Sequence, residues 1–407
     1  MKRRGVYNME RRAFKASMFA FCLLLAIGPA FAGDAAIPGD LDGDKIVSDE
    51  ELEAAEASYE DESITSEELE EIRHIHEEYP RTIIDTKGRE VTIYKPVETV
   101  GCTISQHLET LRTLQVPLDM VVIADHTSGH YSYFSDFSDI PSLGHFYEPD
   151  AEAVVQANPD LLIVHPGSGG GRFGVFYEPF MEKMEGTGIT VACLACSRPD
   201  IYSEEVEKLG VLFEKEEEAA KFLDFYEGVL GTVEERTKDL TEEDRPKVYC
   251  ESDRYATSDN NIDPIEMAGG RFIFDLGQTT EIDPEAVVTS NPDVIIRLLS
   301  EEDPDGKMAD DTANAKAIRE EILDRQELAN VNAVKNEEVY LVASPLWTYL
   351  PYSGCRHFIG VAYVAKILHP ELFEDFDPKA IHQRYLTDFQ GIDYDLEEKG
   401  VFVYPEP

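Results

Sequence analysis

The stretch EAVVQANPDLLIV at residues 152–164 returns as EAVVTSNPDVIIR at residues 285–297. In both copies Glu-Ala-Val-Val has helical character. Asn158, Pro159 and Asp160, or Asn291, Pro292 and Asp293, then stop the helix, because proline disfavours helical geometry in the residue before it. A short continuous apolar run follows, Leu161 to Val164 in one copy and Val294 to Ile296 in the other. Runs of this length bounded by turn residues read as strands buried on both faces, as parallel sheets require. Two such helix-turn-strand units predict two α/β lobes of similar design.

Outward from the first copy, VETVGCT, MVVIAD, LLIVH and ITVACL predict the strands of an N-terminal lobe over residues 81–200. That lobe opens with a hairpin, RTIIDTKGREVTIYKPVETVG, turning at Lys87 and Gly88. Residues 201–243 carry apolar residues at helical spacing and lack strand signals, so a connecting helix is expected there, single or as two joined pieces. KVYCES, PIEMAGG and EEVYLVAS flank the second copy in a C-terminal lobe over residues 244–354, and aromatic-rich helices with a tail close the chain over 355–407. The expected fold class is therefore α/β, two Rossmann-like lobes joined by a long rigid helix. Its ligand cleft lies between the carboxyl ends of the strands.

The 407 residues suffice for two domains with proper cores. Arg11, Arg12 and Lys15 precede the apolar run MFAFCLLLAI, then Gly28, Pro29 and the small-residue pattern Ala30, Phe31, Ala32. This predicts a signal peptide over residues 1–32 and a protein working outside the cytoplasmic membrane, either soluble or held peripherally at its outer face. With that segment removed, six Lys/Arg and one Glu leave, and the formal charge moves from −46 to −51. So acidic a surface excludes nucleic acid as a partner. Five cysteines remain, an odd number, so internal pairing is incomplete. Cys193 and Cys196 form a C-x-x-C inside ITVACLAC, which reads as buried small residues, with a redox or metal role as the alternative.

Residues 33–80 read as a separate, acidic, helical leader. Within it DLDGDKIVSDEE places oxygen donors at EF-hand loop positions: Asp40, Asp42, Asp44, the carbonyl of Ile46, Ser48 and Glu51. Position six, normally glycine, is Lys45, whose Cβ opposes the sharp turn. SITSEEL repeats the end of this loop with Ile64 and Glu68, but its upstream ligand positions hold Ala57 and Tyr59. The leader thus resembles paired EF-hand or dockerin-like modules, one half able to hold Ca²⁺; an acidic solvated linker is the alternative.

The hairpin IIDTKGREVTIYKPVETV, the duplicated EAVV motif, the connecting helix and the ending GCRHFIGVAYVAKILHPELFEDFDPKAIHQRYLTDFQGIDYD together resemble substrate-binding proteins of iron-complex ABC importers, over about residues 82–395. These bind siderophores, haem or cobalamin and belong to class III, the group with a rigid helical backbone. The resemblance implies no enzymatic activity, capture of a metal-chelate ligand by a monomer, and delivery to a membrane permease driven by a cytoplasmic ATPase. Where the family ends Gly-Pro-Arg-His, this chain has Gly354, Cys355, Arg356 and His357.

Loops after strands hold the candidate ligand contacts. Tyr131 and Tyr133 follow MVVIAD, Arg172 follows LLIVH, Arg254 follows KVYCES, and Trp347, Tyr349, Tyr352 and Arg356 follow EEVYLVA. Aromatic rings cover the flat faces of a chelate and Arg forks pair with its anionic groups, whereas each of these residues could also serve in packing or an ion pair. Arg297 and the histidines His126, His130, His165 and His357 are weaker candidates. A rival reading, direct capture of Zn²⁺ or Mn²⁺, needs about three His and a carboxylate converging. An extracellular hydrolase is a further rival, but the sequence shows no nucleophile-elbow pattern.

Overall fold

The computed structural model describes residues 36–125, 132–146, 148–167, 172–257, 262–274, 280–299, 312–343, 354–398 and 402–407. Two helices come first, α1 (Asp49–Glu60) and α2 (Ser66–Glu78). Each starts in a capping box, Ser48 with Glu51 and Thr65 with Glu68, so the partial repeat seen in the leader is structural as well. A hairpin follows, β1 (Arg81–Ile84) and β2 (Glu90–Ile93). The N-terminal lobe contains β3 (Val100–Cys102), α3 (Ser105–Thr113), β4 (Val121–Ala124), the short pair β5 (Gly144–His145) and β6 (Glu148–Pro149), α4 (Ala151–Ala157), β7 (Leu161–Val164), α5 (Arg172–Met184) and β8 (Thr190–Cys193). The connector is α6 (Tyr202–Phe213) and α7 (Glu216–Thr237).

The C-terminal lobe contains β9 (Lys247–Glu251), β10 (Ala256–Thr257), α8 (Ile262–Met267), β11 (Arg271–Phe272), β12 (Thr280–Glu281), α9 (Pro284–Ser290), β13 (Val294–Leu298), α10 (Ala313–Leu323), α11 (Asn332–Lys335) and β14 (Val339–Val342). Helices α12 (Gly354–Leu368) and α13 (Pro378–Arg384), then β15 (Val403–Tyr404), complete the chain. The main sheets are β4-β3-β7-β8, all parallel, and β11-β9-β13-β14, also parallel, with β15 added antiparallel at the edge. Both therefore place their first strand between the second and third. The connections reverse direction between β3 and β7 and between β9 and β13, the switch points where open α/β sheets bind ligands.

The repeated sequence produces repeated local structure. Asp150 caps α4 by accepting from the amides of Glu152 and Ala153, and Asp283 caps α9 by accepting from that of Glu285. Asn158 and Asn291 end these helices in the left-handed region, both at φ 46°, a conformation asparagine tolerates better than most residues. The aspartates after the prolines then reach sideways. Asp160 Oδ2 accepts from the amides of Glu98 and Thr99 at 3.1 and 2.9 Å, and Asp293 Oδ2 accepts from that of Lys247 at 3.0 Å. Each copy thereby ties its own strand to the start of its lobe's first strand.

The connector is two joined helices, broken at Glu214, which adopts φ 55°. Tyr202 of α6 meets Phe222 and Tyr226 of α7, so the two helices lie side by side, and Phe358, Tyr385 and Phe389 pack onto this aromatic face. The leader is less separate than its sequence suggests. Val47, Leu69, Ile72 and Ile75 lie in the same buried cluster as Ile83 and Val91 of the hairpin and Leu209, Phe222 and Phe358 of the helical backbone. Cys102, Cys193, Cys196, Cys250 and Cys355 are buried free thiols, so the C-x-x-C forms no bridge here. None of the described helices is long and apolar enough to cross a membrane.

Candidate functional site

In the N-terminal lobe the switch point brings the ends of β3 and β7 together. Thr103 Oγ1 accepts from the His165 amide at 3.0 Å, holding the two strand exits in register. The His165 ring is oriented by its neighbours: Nδ1 accepts from the Gly167 amide at 3.1 Å and Nε2 lies 3.2 Å from Ser197 Oγ. Burial pushes its pKa down to about 4, with Lys87 and Arg198 adding to the effect, so the imidazole is neutral at neutral pH. A recess beside it is lined by Thr103, Phe146, Val164, His165, Tyr177 and Phe180.

The β1–β2 turn reaches this same end of the sheet, where the Thr86 amide donates to the Cys193 carbonyl at 2.9 Å. That contact sets the exposed Lys87 ammonium 4.6 Å from the centre of the Tyr177 ring. Tyr177 is fixed from behind by its hydroxyl contact with Cys193 Sγ at 2.8 Å, and Arg89 donates to the same sulfur at 3.0 Å while pairing with Asp85. Lys87 and Tyr177 were not singled out from sequence. The turn signal at Lys87 and Gly88 was visible, but nothing local showed that the hairpin folds onto the strand ends.

In the C-terminal lobe, the end of β9 carries a carboxylate network. Arg325 pairs with Glu251 at 2.7 Å, both essentially buried, and with Glu321 at 2.7 Å. Arg254, expected at the ligand, is exposed, but its guanidinium pairs with Glu321 at 2.9 Å and Glu327 at 3.7 Å. Arg297 is 7% exposed and donates to the carbonyls of Ser252 and Leu298, which braces the exits of β9 and β13.

Arg356 requires a correction. It was expected on a loop facing the cleft, yet it lies on α12, 2% exposed, with Nε 3.0 Å from Glu109 Oε1. Helix α12 starts at Gly354, so this residue is drawn into the core between α3 and the C-terminal helices, where Tyr385 also donates to Glu109 at 2.7 Å. His357 is buried beside it, and burial holds its pKa down at about 4. Tyr131, Trp347, Tyr349, Tyr352, His126 and His130 lie outside the described residues, and for Tyr133 and Arg172 the backbone alone is described.

A second candidate site lies in the leader. Carboxylate oxygens of Asp40, Asp42 and Asp44 lie within 4.8 Å of one another. Lys45 takes the left-handed turn despite its Cβ, at φ 75°, following Gly43 at φ 83°. Glu51 accepts from the amides of Leu41 and Ser48 at 2.6 and 2.8 Å, bonds that bring its pKa down to about 2. Hard carboxylate oxygens such as those of the three aspartates are the donors that Ca²⁺ and Mg²⁺ select.

Comparison with known proteins agrees with the topology. Residues 100–346 match the family described as periplasmic binding protein. Among solved structures, a TroA-like periplasmic binding protein, FepB from Veillonella parvula, is similar with a TM-score of 0.65 and 23% identity, over 80% of this chain and 99% of that one. The molybdate periplasmic binding protein MolA of Haemophilus influenzae, solved bound to molybdate, gives 0.60 and 17% identity, over 77% and 99%. CeuE of Helicobacter pylori, solved with Ni(II) bound, gives 0.55 and 18% identity, over 77% and 97%. No curated protein matches. Two like-ordered sheets on a helical backbone, with a family match spanning both, make this chain a member of the periplasmic binding protein family, the substrate-binding proteins of ABC importers.

Proposed function

We propose that the protein captures a chelated metal between the switch points of its two lobes and passes it to an ABC importer permease outside the cytoplasmic membrane. The observation that carries this reading is the end of the N-terminal sheet, where Lys87 over Tyr177 stands beside Phe146 and the Thr103 and Ser197 hydroxyls. An aromatic face with an ammonium suits a ligand that has a conjugated surface and anionic edges. Tyr131, Tyr133, Arg172, Trp347, Tyr349 and Tyr352 supply further contacts in this reading. Arg254 takes part only by exchanging a glutamate for the ligand. In the leader, Ca²⁺ is held by Asp40, Asp42, Asp44, the Ile46 carbonyl, Ser48 and Glu51.

Trp347 is the sole tryptophan and provides the test. Ferric siderophores, haem, cobalamin and bare divalent ions are titrated into the mature protein while tryptophan fluorescence is followed, first with calcium and then with a chelator. Saturable quenching by one chelate identifies the cargo. A response to a bare divalent ion with silence towards every chelate overturns the reading in favour of direct metal capture. Calorimetric titration of Ca²⁺ into stripped protein checks the leader; no binding up to the millimolar range of extracellular calcium modules refutes that assignment.

A further inference from the structure

The β1–β2 turn is held more tightly than an exposed hairpin end needs. Asp85 is buried, and both its carboxylate oxygens are engaged in fixing the turn. Oδ1 accepts from the amides of Lys87 and Arg89, each at 2.9 Å, while Oδ2 accepts from Arg89 Nε and Nη2 at 2.9 and 2.7 Å. The same Oδ2 accepts from the Cys193 amide at 3.1 Å, which pins the turn to the end of β8. A second buried carboxylate, Glu205 of α6, accepts from the Thr86 hydroxyl and from the amides of Ala195 and Cys196 at 2.6 and 2.7 Å.

What this anchorage presents is Lys87. Its ammonium lies over the Tyr177 ring and forms no ion pair among the described residues, whereas the nearby cations are neutralised, Arg89 by Asp85 and Arg198 by Asp200. The groups beside it are donors as well. Thr103 Oγ1 already accepts from the His165 amide, so the hydroxyl that lines the recess keeps its proton for a ligand. His165 Nδ1 already accepts from the Gly167 amide, so the neutral ring carries its proton on Nε2, beside Ser197, and offers a metal ion no lone pair. Such a set of groups suits an anionic oxygen and disfavours a bare cation.

We propose that Lys87 is a specificity-determining residue and Asp85 its positioning residue: the turn is a cationic finger that selects chelates with an anionic oxygen edge, carboxylate or catecholate, over neutral chelates and bare ions. The finger deepens the capture of a chelate proposed for the two switch points and rests on that reading. Preorganisation is the physical reason. A lysine on a loose loop gives up much of its rotamer freedom when it closes on an anion, whereas one already held over Tyr177 has less to lose. Asp85 touches no cargo and acts only by fixing the backbone that carries Lys87.

Equilibrium dialysis of the mature protein against a ferric tris-catecholate, haem with its propionates, a neutral ferric trihydroxamate and cobalamin provides the test. One of the first two should bind about ten-fold or more tightly than either neutral chelate, and which of them does so tells catecholate from carboxylate. For that ligand, Lys87→Gln should weaken binding about ten-fold and flatten its salt dependence, and Lys87→Arg should restore both. Asp85→Asn should weaken binding too, yet add nothing to Lys87→Gln, because it acts only through that ammonium. Gly88→Ala strains the turn at φ 75° with open space around the new Cβ, and takes the place of Asp85→Asn if that variant fails to fold. Chelate binding that is unchanged in Lys87→Gln, or strongest for a neutral chelate, overturns the finger and leaves the capture reading standing. Silence of the parent protein towards every chelate overturns both.

Discussion

Replacing Arg356 by methionine should destabilise the protein severely, because of what it leaves behind. The Arg356 and Glu109 side chains are each 2% exposed and meet at 3.0 Å. In Arg356→Met the stem volume is kept and the Glu109 carboxylate remains in the core, with Tyr385 as its hydroxyl donor. A buried charge robbed of its partner costs about 3–5 kcal/mol. Glu109→Gln should also destabilise, by removing the charge that pairs with the guanidinium. The double variant, a neutral pair with no uncompensated charge, should cost about 3 kcal/mol less than the sum of the two single changes, and that difference is the coupling. Urea denaturation followed by circular dichroism measures all four corners of the cycle. An Arg356→Met protein within about 1 kcal/mol of the parent would refute the ion-pair role. A loss of cargo affinity in that stable variant would return Arg356 to the ligand.

Acid should weaken the fold well above the carboxylate range. Burial lowers the pKa of His107 and His382 to about 3 and of His165 and His357 to about 4, from 6.5. The unfolded chain therefore takes up these protons first. Stability is full above pH 6.5, falls below it by up to about 1.4 kcal/mol per pH unit for each histidine, and stops falling near pH 3–4. Urea midpoints that stay level from pH 7 to 5 would contradict this. At the duplicated helix ends, Asn158→Ala and Asn291→Ala should each cost about 1–2 kcal/mol and Asn158→Gly little, since both positions sit at φ 46°, whereas Asn291→Gly also loses the bond its Oδ1 accepts from the Asn332 amide at 2.8 Å. Denaturation of the four proteins checks this, and a cost confined to one lobe would break the equivalence of the two motifs.

The two EAVV motifs disclosed more of the fold than any other part of the chain, because each of their instructions acts over a few residues. Aspartate caps, asparagine stops, the proline that follows and a four- or five-residue apolar strand are all matters of neighbours within one turn or one strand. Asp40, Asp42 and Asp44 form a pattern just as local, and carboxylate oxygens of the three lie within 4.8 Å of one another. The connector was harder to read. Its helical period runs through the break, and only Glu214 in a left-handed conformation reveals the joint.

Arg356 shows where reading from neighbours fails. A position just after a strand looks like a ligand loop, and only the start of α12 at Gly354 turns that arginine inward to Glu109. Lys87 over Tyr177, Arg254 against Glu321 and Tyr79 on Glu214 likewise bring together residues distant in the chain. The local pattern of apolar and turn residues is enough to specify two α/β lobes and a helical link between them. Which charges are buried, which remain at the strand ends and what meets Glu214 depend on packing that closes long loops, and no short stretch of sequence encodes those distances.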